Sequence, residues 1–319
     1  MKPAPNFDIY LEAQVPGDCI GQRVDQVAAG LFGDFSRAQL QQWIKSGALT
    51  LNGTACKPKD KIIGGELLEL RAELEPQGDW IAEDIPLQVI YEDEDLVVID
   101  KPAGLVVHPG AGNPRNTLLN GLLYRYPGQE NIPRAGIVHR LDKDTSGLMV
   151  VARTLEAQTS LVNQLQARSV SREYEAVVQG VPTGGGTVDA AIGRDSRVRT
   201  RMAVVSQGGK PAITHYRIVR KFDQHTHVRL KLETGRTHQI RVHMAHIGYP
   251  LVGDPQYGGR VKLPRGASEQ LLTCLRSFPR QALHAVALSL EHPRSGELMS
   301  WTSPLTDDFV GLLQALERG

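Results

Sequence analysis

The chain has 319 residues, a formal net charge of +1 and 41% hydrophobic residues. A chain of this length exceeds one ordinary core and predicts about two domains. No apolar run approaches the roughly 20 residues that cross a bilayer, and the first residues lack the apolar core of a signal peptide, so we expect no membrane association. The cysteines are scattered, which argues against a disulfide framework or a cysteine-based zinc site and predicts a cytoplasmic protein. They are Cys19, Cys56 and Cys274.

Charge is distributed unevenly along the chain. Residues 73–100 contain ten acidic residues and no lysine or arginine, whereas residues 190–241 contain twelve lysines and arginines and three acidic residues. Local clustering of positive charge predicts contact with nucleic acid, which the net charge alone does not. A solvated basic face is the alternative. The densest cluster comprises Arg194, Arg197, Arg199 and Arg201.

Residues 15–72 predict a small α/β unit. Residues 23–31 repeat apolar side chains at helical spacing. In the segment SRAQLQQWIKSG, Ser36 is placed to cap a second helix and Gly47 is placed to end it. The Asn-Gly pair in ALTLNGTACK lies between two strand-like runs, which predicts a hairpin. The strand-like run GGELLEL completes the unit.

This unit resembles the S4 RNA-binding domain. The resemblance is carried by RVDQVAAGLF, SRAQLQQWIKSGALTLNG and KIIGGELLEL, with Arg37 and Lys45 on a polar helix face. It implies that Arg37 and Lys45 contact RNA, and a packing module without a ligand is the alternative. Residues 73–86 are acidic, lack periodicity and contain proline and glycine, so they are predicted to be a linker away from the RNA.

Residues 87–319 predict a β-rich unit. Strand-like runs outnumber helical ones and do not alternate regularly with them, so we expect an α+β fold with a mixed, mainly antiparallel sheet and flanking helices. Helical spacing is confined to residues 155–168, 237–247 and 309–318. The complete fold prediction is therefore an α+β catalytic domain preceded by a small S4-like α/β RNA-binding domain.

The segment GIVHRLDKDTSG, residues 136–147, holds several candidate catalysts. It lacks the contiguous His-Arg-Asp of a protein kinase loop, and Ser146 lacks the surroundings of a serine nucleophile. Asp142 and Asp144 lie about 7 Å apart if the segment is extended, which fits an inverting glycosidase pair. Turn chemistry favours instead that Asp144 accepts hydrogen bonds from the backbone of Ser146 or Gly147.

Histidines on one predicted helix raise the question of a metal site. His243 and His246 are spaced to share a face, and His238 precedes them. No acidic residue lies in this segment to complete or orient a zinc or iron site, so we expect no metal.

The larger unit resembles the RluA-type pseudouridine synthases. The family signature HRLDxxTSG matches GIVHRLDKDTSGLMVVART. Further matching segments are DEDLVVIDKPAGLVVHPG, REYEAVVQG, ETGRTHQIRVHMAHIGYPLVGDPQYGG and RQALHAVALSLEHPRSGE. The resemblance covers residues 87–319, and many enzymes of this family carry an S4 domain before the catalytic domain.

The resemblance implies three catalytic residues. Asp142 matches the catalytic carboxylate, Tyr174 matches the active-site tyrosine, and Arg241 matches the basic residue that pairs with the aspartate. An arginine suits that role because its guanidinium stays charged and can bind a carboxylate through two hydrogen bonds.

The resemblance also implies that the target uridine is flipped out of its RNA stack. Arg140 matches the arginine that takes the place of the flipped base, and Ile240 matches the apolar residue beside the aspartate. The substrate-binding residues are expected to be Arg140, Ile240, Arg236, Arg37 and Lys45.

The implied activity is isomerisation of uridines in large-subunit (23S) ribosomal RNA, in the helix-69 stem-loop. It breaks the N1–C1′ bond and rejoins the base through C5, which requires no cofactor and no small-molecule cosubstrate. A single carboxylate suffices, either as a nucleophile on the sugar or as a base at C2′. We expect a monomer whose partner is ribosomal RNA or its precursor particle.

Three alternatives stay open. One is a synthase of the same family that acts on another ribosomal or transfer RNA site. Another is a ribosome-assembly factor that binds RNA without catalysis. The last is a glycosidase that releases uracil from a small nucleoside.

Overall fold

A computed structural model describes residues 9–33, 35, 37–72, 80–110, 112–198 and 200–319. Within these ranges, no helix has the length and apolar character that crossing a membrane requires.

A four-stranded antiparallel sheet and two helices form the small unit, counted over the described residues. Its elements are β1 (Ile9–Gln14), α1 (Val24–Leu31), α2 (Arg37–Ser46), β2 (Leu49–Leu51), β3 (Thr54–Ala55) and β4 (Leu67–Ala72). The strand order is β1-β4-β2-β3. The apolar faces of both helices supply its core, which includes Val24, Leu40 and Ile44.

The hairpin in this unit forms as predicted. Asn52 and Gly53 both have positive φ, 51° and 70°, which matches the twist of the flanking strands β2 and β3. Gly47 has a φ of 82° and ends α2, also as predicted. Ser36, the predicted helix cap, lies outside the described residues. Strand β1 was not predicted, and it pairs with β4 over its whole length.

A mixed sheet forms the centre of the larger unit and confirms the predicted fold class. Its strands are β5 (Gln88–Glu92), β6 (Leu96–Lys101), β7 (Ser146–Ala152), β8 (Ser171–Gln179), β9 (Gly186–Asp189), β12 (Ile213–Lys221), β13 (His225–Leu232), β14 (Leu283–Glu291) and β15 (Leu298–Thr302). The order is β5-β6-β7-β14-β8-β13-β12-β9, with β15 on β14. The pairing of β7 with β14 is parallel, whereas the other pairings are antiparallel. A separate hairpin contains β10 (Ile192–Arg194) and β11 (Met202–Val204).

Five α-helices flank this sheet in the described part of the unit. They are α3 (Leu118–Arg125), α4 (Leu155–Ala167), α5 (Gln239–His246), α6 (Glu269–Ser277) and α7 (Asp307–Arg318). Helical spacing predicted α4, α5 and α7, but the expectation that helices are confined to those segments is wrong. Helices α3 and α6 lie outside those segments. The leucines of α3 do recur at helical spacing, but Asn120 and Gly121, which have low helix propensity, interrupt them.

Part of the predicted linker packs against the larger unit. Asn120 of α3 donates to the carbonyl of Ile81 at 2.7 Å, and the Glu83 amide donates to the carbonyl of Asn120 at 3.0 Å. Residues 73–79 lie outside the described residues. Ile81 and Glu83 of the predicted linker are therefore attached to α3.

Candidate active site

A cavity of about 1120 Å³ opens beside the central sheet. The loop that precedes β7, the end of β13, the start of α5 and one face of β8 line it. These elements are distant in sequence, and the strand order of the sheet brings the predicted residues on them together. The cavity is large enough to receive a small organic group such as a nucleotide.

The loop that carries Asp142 is held in a tight turn. The amide of Thr145 donates to the Asp142 carbonyl at 3.1 Å. The buried Thr145 hydroxyl accepts from Gln281 at 3.1 Å, and the buried Ser146 hydroxyl bonds His284 at 2.9 Å. These contacts fix the backbone that follows the aspartate, which limits the directions open to its carboxylate.

Lys101 also binds the loop that carries Asp142. Its side chain is buried, and its ammonium donates to the carbonyls of Pro102, Leu105 and Lys143 at 2.7, 3.0 and 2.9 Å. Burial lowers the pKa of Lys101 to about 7, against the opposing effect of nearby Asp144 and Asp142. This residue was not among the predicted site residues, although a lysine between a buried strand and a proline was visible in VVIDKPAG.

Arg241 joins two carboxylates. Its Nη1 donates to Asp142 at 3.0 Å, while Nε and Nη2 donate to the two oxygens of Asp254 at 2.7 and 3.0 Å. Arg241 is only 6% exposed and the Asp254 side chain is fully buried. Burial alone would lower the pKa of Arg241, but Asp254 and then Asp142 raise it above its ordinary value. The guanidinium is therefore a permanent cation beside Asp142.

Asp254 and Tyr257 fix that cation in place. The Asp254 carboxylate also accepts from the amides of Gln256 and Tyr257, each at 2.9 Å. The Tyr257 ring lies 5.0 Å from the Arg241 guanidinium carbon. Its hydroxyl accepts from the Met202 amide at 3.0 Å. Neither Asp254 nor Tyr257 was predicted, although both lie in the matching segment GDPQYGG.

His238 lies close to the same carboxylate. Its Nε2 is 3.8 Å from Asp142 Oδ1, and its Nδ1 bonds the Tyr257 hydroxyl at 2.8 Å. Burial lowers the pKa of His238, and the negative charge of Asp142 opposes that shift. His243 uses both ring nitrogens in contacts with Thr214 and the Ala190 carbonyl.

The remaining residues predicted for the larger unit also line the cavity. Tyr174 projects from β8 and Ile240 from α5, and both are buried. Burial raises the pKa of Tyr174. Arg140 is exposed at the cavity, whereas Arg236 donates from Nε to the Pro211 carbonyl at 3.0 Å.

The small-unit residues do not reach this cavity. Arg37 donates to the buried carboxylate of Asp25 at 2.8 and 3.1 Å, and Lys45 is exposed on α2. Neither lies among the cavity-lining residues. The structure therefore separates the eight predicted site residues into six at the cavity and two on the small unit.

One expectation about the loop is wrong. In the described structure the Asp144 carboxylate accepts no hydrogen bond from the amide of Ser146 or Gly147, because the turn is closed by the Asp142 carbonyl. His139 has a structural contact, since its Nε2 accepts from the Val150 amide at 3.1 Å. Burial, together with the charge of Arg172, lowers the pKa of His139 to about 3, so the ring is a neutral acceptor.

Comparison with known proteins decides the family. Residues 95–246 match the family described as RNA pseudouridylate synthase. The chain is 61% identical over 310 residues to "Ribosomal large subunit pseudouridine synthase D" of Pseudomonas aeruginosa, which covers 97% of each chain. The chain belongs to the RNA pseudouridylate synthase family. It is therefore an isomerase enzyme.

Other relatives also carry the name of a pseudouridine or pseudouridylate synthase. The protein of the same name from Haemophilus influenzae is 56% identical over 97% of this chain and 95% of its own. The solved structure "Human RNA Pseudouridylate Synthase Domain Containing 4" is 28% identical, with a TM-score of 0.56 over 72% of this chain and 93% of its own. The solved structure "Human RNA Pseudouridylate Synthase Domain Containing 1" is also 28% identical, with a TM-score of 0.53 over 75% of this chain and 97% of its own. The predicted RluA-type resemblance is confirmed, and both bacterial relatives carry the name synthase D.

Proposed function

We propose that this synthase converts specific uridines of large-subunit ribosomal RNA to pseudouridine, with Asp142 as the catalytic carboxylate. The bacterial relatives carry that substrate in their names and match the chain almost end to end. The observation that carries the assignment is the position of Asp142. It faces a cavity, it is 15% exposed, and its partner Arg241 is already held by Asp254.

The arrangement suits a carboxylate that must act while ionised. A dry pocket disfavours the charged form of an acid, and a close guanidinium restores it. Because Asp254 binds one edge of Arg241 through two hydrogen bonds, that cation is positioned before substrate arrives. One oxygen of Asp142 bonds Arg241, and the other is available toward the cavity beside His238.

The reaction breaks the N1–C1′ bond, turns the uracil and forms a C5–C1′ bond. The proton on C5 is lost at the end and N1 gains one, so atoms and electrons balance without a cosubstrate. Asp142 either attacks C1′ or removes a proton from C2′. In this proposal Tyr174, which lines the cavity, stacks on the flipped uracil, and its hydroxyl relays the proton from C5.

The other cavity residues are proposed to bind substrate. Arg140 is exposed at the mouth, where a planar guanidinium can occupy the gap left in the RNA stack. Ile240 supplies an apolar wall, and Arg236 supplies charge at the rim.

We propose that residues 15–72 form an S4-like RNA-binding domain, that residues 73–86 are a linker, and that residues 87–319 are the catalytic domain. In this proposal Arg37 and Lys45 contact RNA, the target lies in the helix-69 stem-loop, and the enzyme acts as a monomer on ribosomal RNA or its precursor particle.

The test is Asp142→Asn. It keeps the shape of the side chain and leaves Arg241 paired with Asp254, so the fold should remain intact. Positioned proton transfer or nucleophilic attack contributes about 100- to 10,000-fold, so pseudouridine formation should fall by at least that much. The measurement is pseudouridine mapping of large-subunit ribosomal RNA from cells that contain the wild type, the variant or neither.

Asp144→Asn is the matched control, since it makes the same change two residues away on the same loop. It should retain most activity. Full activity in Asp142→Asn overturns the catalytic assignment, and release of uracil identifies a glycosidase. Rescue of a ribosome-assembly defect by inactive Asp142→Asn supports an added RNA-binding role, whereas mapped sites in transfer RNA redirect the substrate assignment.

A further inference from the structure

Arg172 lies in the active-site cavity but has no part in the chemistry described above. It projects from β8 two residues before Tyr174, so both side chains lie on the same face of the strand. Arg172 is only 7% exposed, and it lines the same cavity as Asp142 and Tyr174.

The hydrogen bonds of Arg172 are incomplete. In the described part of the chain its guanidinium has one acceptor, the backbone carbonyl of Glu233, at 3.4 Å from Nη2. Its Nε is buried and has no partner. The Glu233 carboxylate is not available to it, because Arg168 and His215 bind that carboxylate at 2.7 Å each. Arg172 is therefore a buried cation without a carboxylate.

Two other buried arginines, unlike Arg172, are paired with carboxylates. Arg241 binds Asp142 and Asp254, and Arg280 binds both oxygens of Asp308. A buried charge without a counter-ion is costly, so proteins generally pair it. Burial lowers the pKa of Arg172, but a guanidinium remains charged at neutral pH. Nothing in the described protein compensates this charge fully, which leaves the compensation to a ligand.

Glycine at position 235 accommodates the guanidinium. A Cβ on Gly235 would lie 2.7 Å from Arg172 Nη1, and Gly235 does not have the positive φ that would itself require glycine. The guanidinium of Arg172 therefore occupies space that a side chain at this position would take. The neighbouring His139 ring is neutral and is already bonded to the Val150 amide, so it does not supply an anion.

We propose that Arg172 binds a backbone phosphate next to the target uridine. This inference rests on the proposed function, because RNA brings one phosphodiester anion per nucleotide into the cavity whereas uracil is neutral. A guanidinium edge with unpaired N–H groups matches a phosphate in charge and geometry.

Such a contact has a specific use in this reaction. Once the N1–C1′ bond is broken, the uracil must turn while C1′ stays in place to receive C5. The ribose is tied to its flanking phosphates, so a fixed phosphate fixes C1′ relative to Asp142. Arg172 then positions the sugar, and its loss weakens binding and also slows the isomerisation step.

The experiment couples a protein change to an RNA change. Arg172→Gln is combined with RNAs in which one phosphate flanking the target is a neutral methylphosphonate. The methylphosphonate linkage is made with a 2′-deoxy sugar. Each modified RNA is therefore compared with an RNA that has the same 2′-deoxy sugar but an ordinary phosphate at that linkage. Binding is measured in the Asp142→Asn background, and single-turnover rates are measured with the active enzyme. Gly235→Ala is a second variant, since it crowds the guanidinium without removing its charge.

Arg229→Gln is the matched control. It removes one positive charge from the neighbouring strand β13, where Arg229 binds Glu173 and Glu175 and does not line the cavity. It should leave the methylphosphonate effect unchanged.

A charge-assisted hydrogen bond implies that one methylphosphonate weakens wild-type binding by about 10- to 100-fold and adds little further loss in Arg172→Gln. Gly235→Ala should show the same reduced sensitivity to that methylphosphonate, and Arg172→Lys should retain part of it. Equal methylphosphonate effects in wild type and Arg172→Gln at every flanking phosphate would mean that Arg172 is structural and overturn the inference. If wild-type enzyme forms no pseudouridine in the unmodified RNA, the proposed function fails instead.

Discussion

At the scale of single residues, the site depends on how one guanidinium is divided between two acids. An arginine was expected to bind Asp142 through two hydrogen bonds, but the paired bonds of Arg241 go to Asp254. Asp142 receives one bond, from Nη1. This division leaves one oxygen of Asp142 without a bond to Arg241, while Asp254 maintains the position of the cation.

Asp254→Asn should therefore reduce catalysis although Asp254 does not face substrate. The change removes the charge that orients Arg241, and loss of a charged hydrogen-bond pair corresponds to about a 10- to 100-fold lower rate. We expect this loss in kcat, with KM changed much less, because the RNA contacts remain. Single-turnover kinetics and steady-state kinetics on the same RNA measure both quantities.

The control is Asp95→Asn, which also breaks a two-bond pair between an arginine and a buried aspartate, although Arg294 itself is exposed. Asp95 binds Arg294 through both oxygens at 2.8 Å, and neither residue lines the cavity. This variant should lower the melting temperature without changing kcat. An Asp254→Asn enzyme with wild-type kcat would show that Arg241 needs no second carboxylate.

At the scale of elements, the catalytic loop depends on the parallel pairing of β7 with β14. Gly147 lies at this junction with a φ of 113°. A Cβ there would lie 2.3 Å from the Ala285 carbonyl oxygen and 2.5 Å from its amide nitrogen. The backbone of β14 thus occupies the place of a side chain, which explains the glycine that ends the TSG segment.

Gly147→Ala should destabilise the protein by at least about 2 kcal/mol, since it combines backbone strain with a steric clash between strands. Urea unfolding at equilibrium measures this difference. Gly296→Ala separates the two causes, because Gly296 has a φ of 71° but nothing within 4 Å of its Cβ position. It should cost about 1 kcal/mol, the strain alone. Equal losses in the two variants would show that the β14 contact contributes nothing.

The elements also show what could be predicted from sequence. Helix α4, helix α5 and the β2–β3 hairpin follow from local spacing or turn residues, because each is specified by neighbours in the chain. Helix α3 was missed because Asn120 and Gly121, two residues of low helix propensity, interrupt its leucines. Strand β1 was missed because its pairing with β4 joins residues far apart in sequence.

Some residues of the site were predicted and others were not, again because their contacts join residues far apart in the sequence. The Asp142–Arg241 contact came from resemblance to a family, since no local pattern relates residues 99 positions apart. Lys101 donates to backbone carbonyls, which every residue of a chain has. Arg172 is identified by the absence of a hydrogen-bond acceptor for its Nε. Neither property leaves a signal in spacing or composition.

At the scale of the whole molecule, the question is whether the small unit and the cavity bind one RNA. Arg37 and Lys45 were predicted as equivalent contacts, but the structure distinguishes them. Asp25 is buried and accepts from Arg37, Arg23 and Gln41. Burial alone would raise the pKa of Asp25, and these hydrogen bonds hold it well below its ordinary value. Arg37 is thus already paired with Asp25, although 45% of its side chain is exposed, whereas Lys45 is exposed and forms no ion pair within the described structure.

Lys45→Gln should therefore weaken RNA binding without loss of stability. Removing one phosphate contact should lower the slope of log affinity against log salt by about 1, uniformly across RNA sequences. Filter binding at several salt concentrations measures the slope, and thermal melting measures stability. Arg37→Gln is the comparison, and it should lower the melting temperature because the buried carboxylate of Asp25 loses a charged hydrogen-bond partner. An unchanged salt slope in Lys45→Gln would mean that RNA bound in the cavity does not extend across this face of α2.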